Sequence, residues 1–476
     1  MNCQRTPLRI GIGTLLVLGA GLIGSGCASS PDLRRIYSRE AAAEDLERNP
    51  VILIPGLLGS SLVDDEGTMV WGVLGRAAMK PESSRGALAI AVPFDGVVTT
   101  SEAPVGVHAS GVLDSLRIRL LGVPMEIKAY ANVLKSLGVF AGYRDESLGR
   151  SGAVDYGNDH YTCFQFPYDW RLDVPTNARR LDEFIEEKAA YVEAQDLARY
   201  GRKRDPVKFD VVAHSYGALV LRYYLRYGNR APDAATEVVA APTWDGARRV
   251  ERAILVAPPN AGSLKSLDSL LRGRRFGLFS YNYSPAILGT FPSLYATLPR
   301  TRHTALVDAD ENAVDLFDPE VWIAHSWGLA DPKQDAELRK LLPGVASADE
   351  RRQIALRSLR SNLALAKRTQ TELALASAPP PGLTIHLVGG DAEETPSRAE
   401  IQKEGGSPRV VAREPGDGTV TRASALMDER LGGEWSRRIR SPIAWDSVLF
   451  VPSNHLGMTE DPTFTDNLLF TLLQAH

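Results

Sequence analysis

Residues 207–227 read VKFDVVAHSYGALVLRYYLRY, an apolar run followed by a turn of small residues and a second apolar stretch. The run Val207–Ala213 predicts a buried strand, and Ala218–Tyr227 predicts a helix that begins almost directly after it. Ser215 lies between the two, in the pattern Ala-His-Ser-Tyr-Gly, where a sharp strand-to-helix turn requires small neighbours and exposes the serine hydroxyl. We therefore predict that Ser215 is a nucleophile rather than part of a purely structural turn.

Short apolar runs of the same kind recur along the chain, and helical patterns fall between several of them. The other runs are Val51–Ile54, Tyr161–Phe166, Ala253–Ala257, Thr384–Val388 and Ser447–Val451. Strands that alternate with helices indicate an α/β protein whose sheet is mostly parallel and covered by helices. Together with the serine turn, this pattern predicts an α/β-hydrolase fold.

Two long gaps interrupt the alternation of strands and helices, and a chain of 476 residues has room for large insertions. Long intervals in an α/β domain usually carry lids or binding loops. The second gap includes a strongly helical stretch at 349–376 that is followed by three prolines. The predicted segments are an export signal at 1–27, a tether at 28–48, a hydrolase core at 49–263 with a lid at about 61–125, a helical cap at 264–380, and the second part of the core at 381–476.

A serine hydroxyl is a weak nucleophile near neutral pH, so it needs a histidine as base and an acid that orients the base. In this fold the chain order is serine, acid, histidine. His455 follows the run Ser447–Val451 by a short loop, which is where the last strand would present the base. The remaining downstream histidines lie in the predicted cap, within a strand or at the C-terminus: His303, His325, His386 and His476. We assign His214, beside the serine, to support of the turn.

Two aspartates satisfy the requirements for the acid. Asp391 follows the run Thr384–Val388 after two glycines, and Asp417 lies in a Gly-Asp-Gly loop that would expose its carboxylate. Strand positions and glycines favour the two equally, so the residues alone leave the choice open.

The N-terminus has the layout of a bacterial export signal. Arg5 and Arg9 precede the apolar run Ile10–Ile23, and small residues then lead to Cys27. This run is shorter than a helix that spans a bilayer comfortably, and its flanks are typical of a cleaved signal. Cys27 resembles the acylated cysteine of bacterial lipoproteins, although Gly24 occupies a position where leucine is usual. We expect export with lipid anchoring through Cys27 on the periplasmic or outer-membrane side, or otherwise secretion.

Composition argues against several classes of function. The net charge of −4 and the absence of a dense basic stripe argue against a nucleic-acid partner. The chain has three cysteines and no CxxC or HExxH pattern, so we predict no metal and no cofactor. Nothing in the sequence points to an obligate protein partner.

Several motifs together resemble the lecithin:cholesterol acyltransferase family, which includes lysosomal phospholipase A2 and the phospholipid:diacylglycerol acyltransferases. Their order and rough spacing extend from residue 51 to about residue 473. The Tyr-Asp-Trp-Arg run ahead of Ser215 is the most specific element, since most α/β hydrolases lack it. The motifs are VILIPGLLGS at 51–60, FPYDWRL at 166–172, the turn around Ser215, APPNAGS at 257–263, GDGTV at 416–420 and NHLGM at 454–458.

The resemblance implies roles for individual residues. It favours Asp417 over Asp391 as the acid, gives His455 the role of base, and places the oxyanion donors at the backbone N–H groups of Leu57 and Tyr216. Trp71 resembles a position in the family's membrane-facing lid and is a candidate for contact with lipid substrate. We assign Tyr168–Arg171 primarily to packing and hydrogen bonds that hold the serine turn.

The implied function is a serine-dependent lipid acyl hydrolase or O-acyltransferase that forms an acyl-enzyme on Ser215. Its substrate would be a lipid at a membrane surface, and a sterol or another alcohol is the candidate acyl acceptor in place of water. Two alternatives remain open. One is a carboxylesterase for soluble esters, and the other is a non-catalytic lipoprotein that binds lipid.

Overall fold

The computed structural model describes residues 36–474 apart from 44, 73–78, 95–105, 114–115, 121–122, 128–129, 158–159, 231–238, 276–280 and 403–405, and gives only the backbone at 116–120 and 123–127. The predicted signal, Cys27 and His476 therefore lie outside the described residues. All described residues belong to one unit, Leu33–His476.

A six-stranded parallel sheet forms the centre of the fold. Its strands are β1 (Val51–Ile54), β2 (Cys163–Gln165), β3 (Phe209–His214), β4 (Val250–Val256), β5 (Thr384–Gly390) and β6 (Ser447–Val451). They lie in the order β6-β5-β4-β3-β1-β2, and every neighbouring pair is parallel. β1 and β3 are buried along their whole length, as expected for strands covered on both faces. All six predicted apolar runs are strands, and the predicted α/β-hydrolase fold is confirmed.

Helices cover both faces of the sheet. The principal ones are α1 (Val174–Tyr200), α2 (Tyr216–Tyr227), α3 (Leu264–Arg272), α4 (Ala348–Ala374), α5 (Arg422–Leu426) and α6 (Pro462–Leu473). All twelve residues of α2 are buried, because this helix packs against the sheet and α1 and bonds to the C-terminal end of α4. Among the described residues, no helix is both long enough and apolar enough to cross a bilayer.

The first insertion is built mainly of short strands. These are Ser60–Asp64, Met69–Trp71 and Val107–Val112, which form one antiparallel sheet, and the hairpin Leu116–Leu120 with Val123–Ile127. A helix at Ser84–Ile90 follows the first two of these strands along the chain.

The second insertion is mainly helical and is followed by a further small sheet. Between α3 and α4 lie the short helices Pro285–Leu288, Pro292–Ala296, Pro319–Ala324 and Asp335–Leu341. The strand Leu306–Val307 within this insertion pairs with Glu393–Glu400, which in turn pairs with Arg409–Gly416. Asp417 follows the last of these strands directly. The segment that carries the predicted acid is thereby joined to the predicted cap.

Candidate active site

Ser215 occupies a strained turn between β3 and α2. Its backbone has φ 51° and ψ −121°, a conformation that residues other than glycine rarely adopt and that is typical of a nucleophile turn. Two glycines permit the close packing around it. A Cβ at Gly217 would lie 2.3 Å from the carbonyl oxygen of Pro55, and one at Gly56 would lie 2.9 Å from Cβ of Ser215. The end of β1 therefore packs directly against the serine turn.

His455 links Ser215 to Asp417. Its Nε2 lies 3.0 Å from Oγ of Ser215, and its Nδ1 lies 2.8 Å from Oδ2 of Asp417. A carboxylate can only accept, so Nδ1 carries the proton and Nε2 is available to accept one from the serine. The backbone N–H of His455 also donates to the carbonyl of Asp417 at 2.9 Å. Three residues far apart in the chain are thus joined in one hydrogen-bonded line.

Asp417 is buried, with 3% of its surface exposed. Its Oδ1 accepts hydrogen bonds from the N–H groups of Thr419 and Val420 at 2.9 and 2.7 Å, which leaves Oδ2 for the imidazole. Burial raises the pKa of Asp417, but the charge and hydrogen bond of His455 and the two N–H groups lower it by more. The net pKa lies below the usual carboxyl value, so this side chain stays ionised.

Asp391, the other candidate acid, does not contact His455. Its carboxylate lies 3.3 Å from the guanidinium of Arg422, in a partly exposed ion pair. Of the two aspartates, the structure brings only Asp417 to the imidazole.

A second histidine supports the turn from within the core. Nε2 of His214 lies 3.1 Å from the carbonyl oxygen of His455, so Nε2 is the protonated nitrogen and Nδ1 accepts from the hydroxyl of Tyr130 at 2.9 Å. That hydroxyl in turn accepts from the N–H of Gly56 at 2.7 Å. Burial, reinforced by the nearby imidazole of His455, lowers the pKa of His214 to about 3. The neutral ring connects the loop after β1 with the loop that carries the base.

The predicted oxyanion donors flank the serine. Leu57 lies two residues beyond Pro55 in the loop after β1, and Tyr216 is the first residue of α2, where a backbone N–H has no partner within its helix. Both Leu57 and Ser215 line the same cavity. The hydroxyl of Tyr216 donates to the carbonyl of Leu172 at 2.7 Å, which fixes the start of the helix.

The run Tyr168–Arg171 supports the loop after β1 through buried hydrogen bonds. Tyr168 donates to the carbonyl of Pro55 at 2.7 Å, and the indole of Trp170 donates to the carbonyl of Ser60 at 3.0 Å. Asp169 and Arg171 form a buried bidentate ion pair, and the same guanidinium donates to the carbonyls of Ala89 and Ile90 at 3.0 Å. These contacts hold the loop after β1, which packs against the serine turn, and the end of the helix Ser84–Ile90.

The triad opens into a cavity of about 650 Å³. Trp71 forms part of its wall and is 1% exposed, with its indole donating to the carbonyl of Leu58 at 3.0 Å and its ring against Trp170 and Tyr283. It therefore faces the cavity rather than solvent. Much of the remaining wall is apolar and comes from the two insertions and the loop after β1: Leu57, Leu58, Leu113, Leu288, Phe291 and Leu294.

His303, His325 and His386 lie away from the serine hydroxyl. His303 bonds the carbonyl of Asp428 through Nε2, and His386 contacts Ser447 within the sheet. His325 stacks on Trp327 in the second insertion. Within the described part of the chain, no group of three or more His, Cys, Asp or Glu side chains has the arrangement of a metal site.

Two supporting residues could not be found from sequence patterns. Tyr130 lies in the first insertion, 84 residues before the histidine that it contacts. Thr395 accepts a hydrogen bond from the N–H of Gly418 at 2.8 Å. It thereby stabilises the loop 416–420 that carries Asp417, here called the acid loop. Neither residue lies in a motif, and only the three-dimensional pairing of distant segments shows their roles.

Comparisons with solved structures find several chains that this one resembles. One of them, the Tle4–Tli4 complex, superimposes with a TM-score of 0.50 at 14% identity, covering 90% of this chain and 98% of that one. The lipase BlEst2 from Bacillus licheniformis is 12% identical, with a TM-score of 0.31 and coverage of 91% and 95%. Phospholipase PlaB from Legionella pneumophila is 14% identical, with a TM-score of 0.24 and coverage of 60% and 41%.

Comparison with known sequences and family models gives a narrower result than comparison of structures. No curated protein sequence gives a significant match. A family model described as lecithin:cholesterol acyltransferase matches residues 150–320, a segment that includes the Tyr-Asp-Trp-Arg run and the serine turn. The resemblance drawn from the motifs is confirmed: residues 150–320 are similar to the lecithin:cholesterol acyltransferase family.

Proposed function

We propose that this protein is a serine-dependent lipid acyl hydrolase or O-acyltransferase. One observation carries the proposal: the hydrogen-bonded line Ser215–His455–Asp417 opens into a large, mainly apolar cavity. A nucleophile, its base and an orienting acid are the parts that acyl transfer requires. The family match over residues 150–320 supports lipid esters as the substrate class.

The geometry supports a two-step reaction. Oγ of Ser215 attacks the ester carbonyl carbon while its proton passes to Nε2 of His455, and the N–H groups of Leu57 and Tyr216 stabilise the oxyanion. Collapse of the tetrahedral intermediate breaks the bond to the alcohol, which leaves with the proton from Nε2. The product of this step is an acyl ester on Ser215. Water or an acceptor alcohol, deprotonated by the same nitrogen, then removes the acyl group and regenerates the serine.

The volume and the apolar wall of the cavity favour a long acyl chain over a small soluble ester. Its volume of about 650 Å³ lies within the range of pockets that enclose whole ligands. Trp71, Phe291 and Leu294 provide apolar walls on which methylene groups can pack. Burial of each methylene contributes about 0.8 kcal/mol, so affinity should increase with chain length until the cavity is filled.

Paired assays of the native protein and Ser215→Ala on phospholipid vesicles test the proposal. Label in the acyl chain is followed into free fatty acid and into esters of an added sterol or long-chain alcohol, and the ratio of the two products separates hydrolase from transferase. We expect the substitution to lower turnover by about 10⁶-fold. The matched control is Ser269→Ala, because this serine lines the same cavity and its hydroxyl bonds within its own helix.

Two outcomes would contradict the proposal in different ways. Equal release by the native protein and by Ser215→Ala would remove the serine from the mechanism. Absence of release by the native protein, on vesicles and on a soluble short-chain ester alike, would favour a non-catalytic lipid-binding lipoprotein.

We further propose that the protein is exported and anchored by an acyl group on Cys27. The basic, apolar and small-residue segments that precede Cys27 support this. Fractionation of cells that express the native protein or Cys27→Ser tests it. We expect the substitution to move the protein from the membrane to the soluble fraction, whereas an unchanged distribution would contradict anchoring through this cysteine.

A further inference from the structure

The segment 431–440, here called the Trp435 loop, exposes apolar side chains to an unusual degree. Trp435 is 84% exposed and Ile439 is 49% exposed. The chain has seven tryptophans, all of them among the described residues, and the other six are buried or half-buried. Exposure of such a large ring is costly in water, so this position calls for a functional explanation.

The net charge of the Trp435 loop is positive, whereas the net charge of the whole chain is negative. The loop carries three arginines, Arg437, Arg438 and Arg440, against one acidic residue, Glu434, while the chain as a whole has a net charge of −4. All four side chains are exposed. Within the ranges that the structure describes, no carboxylate forms an ion pair with any of the three arginines. The guanidinium groups are therefore available to an external anion.

The base of the loop is firmly held. The N–H of Glu429 donates to the carbonyl of Arg440 at 2.7 Å, which brings the two ends together. The carboxylate of Glu429 bridges Arg300 and Arg302, both at 2.5 Å. On the other side, Arg430 forms a bidentate ion pair with the aspartate two residues before it. The exposed ring and arginines are thus presented from a fixed base.

The base of the Trp435 loop also lies near the catalytic cavity. Leu431 lines a second cavity of about 310 Å³, and Thr419 lines that cavity too. Thr419 is also part of the wall of the triad cavity. The second cavity therefore lies between the base of the Trp435 loop and the acid loop.

We infer that the Trp435 loop docks the protein onto a lipid bilayer with an anionic surface. Tryptophan favours the interface between head groups and acyl chains, where its ring is apolar and its N–H stays solvated. Arginines next to it gain electrostatic attraction from anionic head groups. Trp71, the candidate for lipid contact in the first insertion, is enclosed and cannot provide this contact. Docking in this way needs no catalysis, so it is independent of the proposed reaction.

Vesicle partition measures this docking. All proteins are the full chain with Cys27→Ser and Ser215→Ala, so that neither an acyl group on residue 27 nor lipid breakdown contributes. Vesicles of phosphatidylcholine alone are compared with vesicles that contain 30 mol% phosphatidylglycerol. We expect Arg437→Gln/Arg438→Gln/Arg440→Gln to lower the partition coefficient on anionic vesicles by about 100-fold, or about fivefold for each arginine. For Trp435→Ala we expect a decrease of about tenfold on both vesicle types.

A matched triple variant controls for loss of positive charge. Arg179→Gln/Arg180→Gln/Arg202→Gln removes three exposed arginines from α1 and the residues just after it, and it should leave the partition coefficient within about twofold of the parent. A polarity-sensitive fluorophore on Trp435→Cys, in a chain with Cys3 and Cys27 changed to Ser, should shift to the blue on anionic vesicles. The same fluorophore on Arg202→Cys should not shift.

The inference is overturned if the two arginine triples behave alike, or if the fluorophore at position 435 does not respond to vesicles. Equal partition into the two vesicle types would remove the anionic head group as the ligand. Turnover of a soluble short-chain ester by proteins that retain Ser215 should be unchanged by the loop substitutions. A failure of docking is thereby distinguished from a failure of the proposed chemistry.

Discussion

Asp391 and Asp417 have similar neighbours in the sequence but different surroundings in the structure. Each follows a strand of the structure, and each has a glycine directly before it. Asp417 is buried, accepts two backbone hydrogen bonds and contacts the imidazole of His455. Asp391 is partly exposed and pairs with Arg422.

The difference arises from the course of the chain beyond β5. Asp391 directly follows β5, at one edge of the central sheet. The chain then runs through the hairpin formed by Glu393–Glu400 and Arg409–Gly416, which returns to the same edge and delivers Asp417 instead. A carboxylate gains function from the hydrogen bonds that surround it, and those bonds come from distant segments.

The largest effect is expected from a paired substitution of the two aspartates. Asp417→Asn should lower kcat by about 10⁴-fold, because an amide no longer fixes the tautomer of His455 or stabilises the imidazolium. Asp391→Asn should leave kcat within about threefold, since only an exposed ion pair is lost. Steady-state kinetics on a soluble ester measures both. Equal losses from the two substitutions would remove the distinction between the aspartates.

The second test extends the comparison from carboxylates to their arginine partners. Arg171→Met leaves Asp169 charged, buried and unpaired, so it should lower the free energy of unfolding by about 3–5 kcal/mol. Arg422→Met breaks the exposed pair with Asp391 and should cost about 1 kcal/mol or less. Denaturant unfolding gives both values. A small loss from the first substitution would show that Asp169 finds other partners or water.

The smallest effect concerns the buried imidazole of His214. Its pKa of about 3 in the folded protein lies below the ordinary histidine value of 6.5. Between these two pH values the unfolded chain binds a proton that the folded protein does not, so this residue makes stability fall as pH decreases. From pH 6.5 to pH 5 the native protein should lose about 2 kcal/mol more than His214→Asn. Parallel stability curves for the two proteins would argue that the buried ring is charged.

The sequence predicted the local parts of this molecule well. The strands of the central sheet, the serine turn and the position of the histidine after the last strand depend on short-range patterns of apolar and small residues. The strand bounds Val51–Ile54 and Ser447–Val451 agree with the structure at both ends. Local signals suffice for the inner strands β1 and β3 because both are buried along their whole length, and burial on both faces favours a continuous apolar run.

The pairing of distant segments could not be predicted in the same way. Residues alone left Asp391 and Asp417 tied, and the resemblance to a family was needed to favour one. The link from Gly56 through Tyr130 to His214 joins three separate segments and leaves no periodic pattern in any of them. Glu393–Glu400 and Arg409–Gly416 contain many charged residues and prolines, so their strand character depends on pairing with each other rather than on apolar alternation.

The small sheet that joins Leu306–Val307 to Glu393–Glu400 limits how this protein could be engineered. Residues 264–380 look detachable, since they lie between two strands of the central sheet. Yet their strand Leu306–Val307 pairs with Ala399 and Glu400, at one end of the hairpin that delivers Asp417. A chimera that exchanges these residues for those of a relative would expose that end and release the acid from one of its supports. To change selectivity by grafting, the segment from 264 to 420 would have to be transferred as one piece.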